Sequence, residues 1–353
     1  MPTLEEIARL SGVSRSTVSR VINNDRRVSL ETRQRVQQVI QQHNFRPNAV
    51  ARGLAGGRTG VIGLVIPMGV GRLFSDPYFP LLIQGVSAAC NMQDQSVMLW
   101  MAEPEFERRT IRQILNSNLI DGIIIASALN DDPILAAIEQ GQLPFIMVGR
   151  HFSRSDISYV DVDNHNAVRE VVTYLIRLGF HRIATITGPQ NMIAGIDRLQ
   201  GYQDALREWR IPLEAELVID GSFSEEGGYQ AVQRLLPYNP EAIFAASDAM
   251  ALGAMRGLVD AGLRVPEQIS IIGFDDIPNA ARSNPPLTTV RQPIVRAGAV
   301  AAETLMDIIR YPDRGPRRII LPTELVIRES CASYHDIKLQ EVQENNTQAY
   351  SNS

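Results

Sequence analysis

Between residues 61 and 274 short apolar runs alternate with amphipathic stretches, and this alternation limits the chain to a narrow set of folds. The runs at 61–66, 97–101, 122–126, 145–148, 182–187, 217–220, 242–246 and 269–274 are rich in Val, Ile and Ala. Continuous apolar segments of this length suit strands buried on both faces, as in parallel sheets. Helical periodicity occupies the stretches near 79–93, 105–117, 132–140, 164–178, 195–208, 225–236 and 248–262. Strand followed by helix, repeated this often, predicts parallel sheets with helices on both faces. The series is too long for one such sheet. A weak similarity between residues 60–160 and 180–275 divides it into two βα lobes.

Ahead of this series, residues 3–43 read as three short helices. Thr3 followed by Glu6 is a capping box, and Leu4, Ile7 and Ala8 share the buried face of the helix it opens. Ser11-Gly12-Val13 makes a tight turn, and Ser14 with Thr17 at its third position caps a second helix with Val18, Val21 and Ile22 inward. A third helix follows Ser29, burying Val36, Val39 and Ile40. From Arg46-Pro47-Asn48 to about Gly60 the chain is small and Gly-rich, which reads as a linker. Past His335 the pattern stops, and the polar end of the chain is expected to be disordered.

Charge separates the same parts. The chain of 353 residues carries a net charge of -5, but residues 1–58 hold ten Arg against four acids, leaving 24 basic and 35 acidic residues behind. A basic segment on an acidic body fits phosphate contact at one end, with the remainder limiting non-specific adhesion. Other chemistries find little support. Cys90 and Cys331 form no C-x-x-C, so no metal site or disulfide framework is expected, and a reducing cytoplasm fits. The start Met1-Pro2-Thr3-Leu4-Glu5-Glu6 lacks the basic and apolar regions of a signal peptide, and no apolar run is long enough for a membrane span. Gly69-Val-Gly71 follows a strand like a dinucleotide fingerprint, but Phe74 stands where the third glycine belongs. His43, His151, His165, His181 and His335 are scattered and read as surface or packing residues, and Met92, Met98 and Met101 as core filler. Neither a catalytic residue nor a metal or cofactor is expected.

The string from Thr3 to Asn23, TLEEIARLSGVSRSTVSRVIN, closely resembles the helix-turn-helix of the LacI/GalR (lac repressor) family of bacterial transcription regulators. Gly12 permits the sharp turn, Ala8 lets two helices approach, and the second helix presents Arg15, Ser16, Ser19 and Arg20 outward for a major groove. The resemblance implies DNA contacts at Thr3, Ser14, Arg15, Ser16, Thr17, Ser19, Arg20 and Asn23, with Arg15, Ser16 and Arg20 as the main base readers. It continues through the linker, implying a hinge helix that forms in the minor groove, with contacts from Asn48 and Ala51 and with Leu54 as the wedge. Beyond residue 60 the strings Asp76-Pro-Tyr-Phe79, Arg198-Leu-Gln-Gly-Tyr202, Ser247-Asp-Ala-Met-Ala-Leu-Gly253 and Ile269-Ser-Ile-Ile-Gly-Phe-Asp-Asp276 also resemble the family.

These resemblances imply an α/β protein with four parts: an all-α helix-turn-helix head (1–45), a hinge (46–59), a periplasmic-binding-protein-like sensor of two Rossmann-like lobes (60–334) for effector binding and dimerisation, and a disordered tail (335–353). Crossover strands near 161, 290 and 321 would join the lobes, with an effector in the cleft at the carboxyl ends of the strands. Arg198 and Asp275 match the family's main polar contacts: a donor fork and an acceptor can together hold a vicinal diol. Phe79 and Phe223 match aromatic positions of the pocket, and Tyr78, Arg150, Ser247 and Asp248 are further candidates. Asp248 also reads as the cap of a helix starting at Ala249. Sugar-responsive relatives often carry Asn at the position of Ser247 and an acid at that of Gly149, which leaves the effector's identity open.

The expected protein is a cytoplasmic homodimeric repressor on near-palindromic double-stranded operator DNA, controlled by a small metabolite such as a sugar or sugar derivative. The alternatives are a corepressor-activated regulator of purine or other metabolism, a sugar-binding protein or an enzyme.

Overall fold

The computed structural model describes residues 2–22, 25, 27–45, 58–100, 115, 119–127, 129–130 and 133–333. The residues up to Gly60 form one compact unit, and the bulk of the chain from Val61 onward forms another.

In the first unit, helices α1 (Leu4–Ser11), α2 (Arg15–Ile22) and α3 (Leu30–Gln42) enclose a small core with Ile7, Val18 and Val36 fully buried beside Ala8 and Val21. Val39 and Ile40 pack against it only partly buried. The capping box forms as the sequence predicts: the Glu6 N–H donates to the Thr3 hydroxyl at 3.2 Å, and the Glu6 carboxylate accepts from the Thr3 N–H at 2.8 Å. Gly12 ends α1 at φ 64°, a left-handed conformation that glycine adopts at no steric cost. Ser14 opens α2 by accepting from the Thr17 N–H at 3.2 Å.

In the second unit the chain runs through β1 (Val61–Val65), α4 (Val70–Ser75), α5 (Tyr78–Asn91), β2 (Ser96–Trp100), β3 (Gly122–Ala126), α6 (Pro133–Gln140), β4 (Phe145–Val148) and β5 (Tyr159–Val162). It continues with α7 (Asn164–Arg177), β6 (Ile183–Thr187), α8 (Ile193–Glu208), β7 (Val218–Asp220), α9 (Glu225–Leu235), β8 (Ala242–Ala245), α10 (Asp248–Asp260), β9 (Ser270–Asp275) and β10 (Thr288–Arg291). The last elements are α11 (Ile294–Arg310), β11 (Arg318–Leu321) and β12 (Glu324–Val326). Two six-stranded sheets result, ordered β11-β5-β4-β3-β1-β2 and β12-β10-β9-β8-β6-β7. All neighbours are parallel except β10 and β12. The chain therefore crosses between the lobes three times, after β5, β10 and β11. Strands β3, β6, β8 and β9 are buried throughout, the burial that their unbroken apolar runs demand.

Register sets where the site lies. Val65 stands opposite Ile125, and Ala126 opposite Val148, so the segments after β1, β3 and β4 leave the first sheet along one edge. Ile186 opposite Ala245 and Arg291 opposite Asp275 do the same for the second.

The structure differs from the sequence reading at several points. Helix α11 lies outside the amphipathic stretches read from the sequence, although Ile294, Ala297, Val300, Ala301 and Leu305 give it a buried face at helical spacing. Met92 is not core filler: it lies just past the end of α5 and is 87% exposed. Met98 lies half-buried on edge strand β2, and Met101 falls outside the described residues. So do Asn23, the hinge residues Asn48, Ala51 and Leu54, the tail from residue 334, and all of the stretch 105–117 except Leu115. Asp248 does not cap a helix beginning at Ala249. The helix begins at Asp248, and Ser247 caps it by accepting from the Met250 N–H at 3.2 Å. Among the described residues no helix is long and apolar enough to cross a membrane, and no cluster of three His, Cys, Asp or Glu is placed to hold a metal.

Candidate effector cavity and DNA-reading helix

A cavity of about 310 Å³ lies between the two lobes of the second unit. Pro67, Met68, Gly69, Asp76, Tyr78, Phe79, Ser127, Gly149, Arg150 and Asp161 line it from the first lobe. Met192, Ile193, Ala194, Arg198, Phe223, Ser247 and Asp275 line it from the second, with Asn164 and Gln292 at two crossovers. A ligand there would meet the carboxyl ends of both sets of strands, where such folds leave an open crevice.

Arg198, on the second turn of α8, is 5% exposed. Its Nε donates to Asn164 Oδ1 at 2.8 Å, and its Nη1 donates to the Ala246 carbonyl at 2.6 Å. The same Nη1 stands 3.6 Å from Asp275 Oδ1. The guanidinium lies 3.7 Å over the Phe274 ring and 5.6 Å from that of Phe223, a stacking that suits the weakly hydrated arginine head. No hydrogen bond of its Nη2 is found among the described residues, which leaves that end of the donor fork for a ligand.

Asp275 ends β9 and is 6% exposed, with φ at 126°. Gln292 donates to its Oδ1 at 2.5 Å. Burial pushes its carboxyl well above the ordinary carboxylate value, while the positive charge of Arg198 pulls it back. Tyr78 and Phe79 start α5 with their rings edge-to-face, centroids 5.2 Å apart. Burial also raises the Tyr78 phenol, so it faces the cavity as a neutral donor. Phe223 sits on Gly188 so closely that a Cβ there would stand 2.1 Å from the ring. Ser247 lines the cavity while capping α10.

Arg150 reaches from the loop after β4 to α8 in the other lobe, where both of its Nη atoms donate to the Asp197 carboxylate. Its backbone N–H donates to Asp161 Oδ2 at 3.1 Å, and Asp161 also accepts from Asn164 Nδ2 at 3.2 Å.

The structure thus brings Tyr78, Phe79, Arg150, Arg198, Phe223, Ser247 and Asp275 to one cavity. Asp248 is not among its lining residues. It is wholly buried below, accepting from Thr289 Oγ1 at 2.5 Å and from the Ile277 N–H at 2.9 Å. Asp161, Asn164 and Gln292 on the lining, and Asp197 behind it, are not marked as site residues by the sequence. Asp161, Asn164 and Gln292 lie at the crossovers, and a segment that passes between lobes must border the cleft; that signal could have found them.

On the first unit, Arg15, Ser16 and Arg20 are exposed on α2, with Thr17 and Ser19 half-buried beside them. Positions i, i+1, i+4 and i+5 form one helical face, the geometry of a helix that enters a major groove. Arg15 pairs with Glu5 at 2.9 Å, both side chains being largely exposed. Such a pair is weak enough to yield to a base or phosphate.

Known proteins resemble this chain along most of its length. The family described as "Bacterial regulatory proteins, lacI family" matches residues 3–48, and the "Periplasmic binding protein-like domain" matches residues 172–331. The HTH-type transcriptional regulator CelR of Thermobifida fusca is 38% identical over 333 residues, spanning 93% of this chain and 98% of the relative. A solved CelR–cellobiose complex aligns with a TM-score of 0.75 at 36% identity, covering 94% of this chain and all of that one. The lac repressor dimer bound to operator and the anti-inducer ONPF aligns with a TM-score of 0.80 at 28% identity, covering 94% and 99%. Identity of this order over nearly the whole length settles the descent: the chain belongs to the LacI family, whose members are DNA-binding transcription regulators and not enzymes.

Proposed function

We propose that this protein is a cytoplasmic repressor that binds a near-palindromic operator as a homodimer and releases it when a small sugar occupies the interlobe cavity. The reading is carried by the Arg198–Asp275 pair, which offers a donor fork and an acceptor on one wall while Tyr78, Phe79 and Phe223 offer ring faces. A vicinal diol fits the pair, and the C–H face of a pyranose fits the rings. The relative CelR has been solved with cellobiose, which makes that disaccharide the first probe. Contacts come from both lobes, so a ligand favours whichever lobe arrangement completes them, and it can change operator affinity only through that preference.

On the DNA side, Arg15, Ser16 and Arg20 read bases, supported by Thr3, Ser14, Thr17 and Ser19, and two heads supply the selectivity that one head's few contacts lack. The test is operator affinity by fluorescence anisotropy over a cellobiose titration, for the native chain and for Arg198→Ala and Asp275→Asn. The native chain should weaken on the operator as sugar rises, and both variants should lose that response. Tightening by the ligand would make it a corepressor, and a full response in both variants would move the effector site elsewhere.

A further inference from the structure

Two arginines line the effector cavity, and the charge of the ligand they accept depends on how each is already held. Arg198 is bonded to Asn164 and Ala246 with Asp275 beside it. Arg150 is neutralised more completely. Both of its Nη atoms donate to one carboxylate, that of Asp197, with Nη2 to Oδ1 at 2.7 Å. Asp161 Oδ2 stands 3.6 Å from Nη1 on the other side. Asp197 is only 7% exposed and is not itself part of the lining. It therefore meets no ligand directly and works from behind the guanidinium that it holds. Asp76, Asp161 and Asp275 also line the cavity, and burial pushes the Asp161 and Asp275 carboxyls above the ordinary carboxylate value.

A phosphate or carboxylate entering this cavity finds the charge of Arg150 already matched by Asp197. Its attraction to Arg150 is offset by the Asp197 carboxylate already paired there, and taking the two terminal nitrogens for itself would strand that buried carboxylate without a partner, a costly outcome. A hydroxyl faces neither obstacle: it accepts from an unused guanidinium edge and donates to a carboxylate without changing the charge count.

We propose that Asp197 is the specificity-determining residue of the cavity. By occupying Arg150 from behind, it restricts the site to uncharged, hydroxyl-rich ligands and turns away sugar phosphates and uronates. The identity of the accepted ligand rests on the sugar reading above, whereas the exclusion of anions rests on the Arg150–Asp197 geometry alone.

The experiment titrates the full-length protein with glucose, cellobiose, glucuronate, glucose 6-phosphate and orthophosphate, read by calorimetry and thermal shift. Four forms are compared: native, Asp197→Asn, Asp197→Ser, and the double variant Arg150→Gln/Asp197→Asn. The native form should show no binding of the three anions. Asp197→Asn or Asp197→Ser, whichever melts cooperatively, should gain at least about tenfold in affinity for glucuronate or glucose 6-phosphate, because Arg150 then loses the carboxylate that holds both of its terminal nitrogens. The double variant should lose that gain. The proposal is overturned if the native chain binds the anions as tightly as the variants do, if a folded Asp197 variant gains nothing, or if the double variant keeps the gain. Should neither substitution fold, native binding of glucuronate at least as tight as that of glucose overturns it, and rejection of all three anions upholds it. If neither glucose nor cellobiose binds any form, the sugar reading falls, while the anion titrations still decide the role of Asp197.

Discussion

Asp275 and Asp276 follow one another with φ at 126° and 56°, conformations that residues with side chains rarely adopt. Such strain persists where the surroundings over-determine it. Here Arg291 and Arg328 hold the Asp276 carboxylate at 2.7 and 2.6 Å, and Gln292 holds Asp275. Asp248, beneath, fixes the next turn through the Ile277 N–H and ties it to β10 through Thr289. Gly273 makes room for it, since a Cβ there would stand 2.3 Å from Asp248 Oδ1. Asp248 thereby positions the loop that carries Asp275. Burial pushes the Asp248 carboxyl from 3.8 up to about 6, against the hydrogen bonds from Thr289 and Ile277. The folded chain then holds a proton at this site that the unfolded chain has released. The group therefore removes stability as pH climbs from about 4 to 6 and nothing further above that window. In Asp248→Asn this contribution should vanish, so the melting temperature of the sensor should fall less across pH 4 to 6 than in the native chain. A native-like slope would assign the dependence to another group.

At the scale of elements, two devices are open to test. Helices α5 and α11 cross so closely that a Cβ on Gly85 would stand 1.9 Å from the Val295 carbonyl oxygen, and one on Gly298 2.4 Å from that of Leu82. The obstacles are backbone atoms and cannot rotate away. Gly298→Ala should cost about 1–3 kcal/mol in urea unfolding of the sensor, the usual range for over-packing. Gly315, where a Cβ would meet open space, is the control, and Gly315→Ala should shift the midpoint far less. The second device is the outward face of α2. Arg15→Ala and Arg20→Ala should each weaken the cognate operator by roughly 1–3 kcal/mol and scrambled DNA by less, if these side chains read bases. Equal losses on both DNAs, measured side by side at one salt concentration, would reassign them to phosphates.

For the whole molecule, linkage is the strongest constraint. If a ligand lowers operator affinity by some factor, operator DNA must lower ligand affinity by the same factor. Calorimetric titration of cellobiose should therefore show weaker binding to the operator-bound than to the free protein, and equal affinity for both forms would mean that this sugar does not control operator release. The operator complex should also weaken about 10³- to 10⁵-fold between 50 and 200 mM salt if the heads make six to ten phosphate contacts.

The sequence alone determined whatever depends on local pattern. Unbroken apolar runs marked the central strands, because a strand buried on both faces has no polar positions to alternate with. Thr3, Glu6, Gly12 and Ser14 marked the ends of the head helices, because capping and a left-handed turn are chemistry within four residues. The family strings carried Arg198 and Asp275 to the cavity. What only the tertiary structure decided lies between distant segments. Arg150 meets Asp197 across 47 residues and two lobes, and Asp248 meets Thr289 across 41. No periodicity encodes such a meeting. Asp248 became a buried support and not a wall of the cavity because its carboxylate meets Thr289 and the Ile277 N–H from distant segments, and Asp197 acquired its role because the turn of α8 that points Arg198 into the cavity points its neighbour at Arg150.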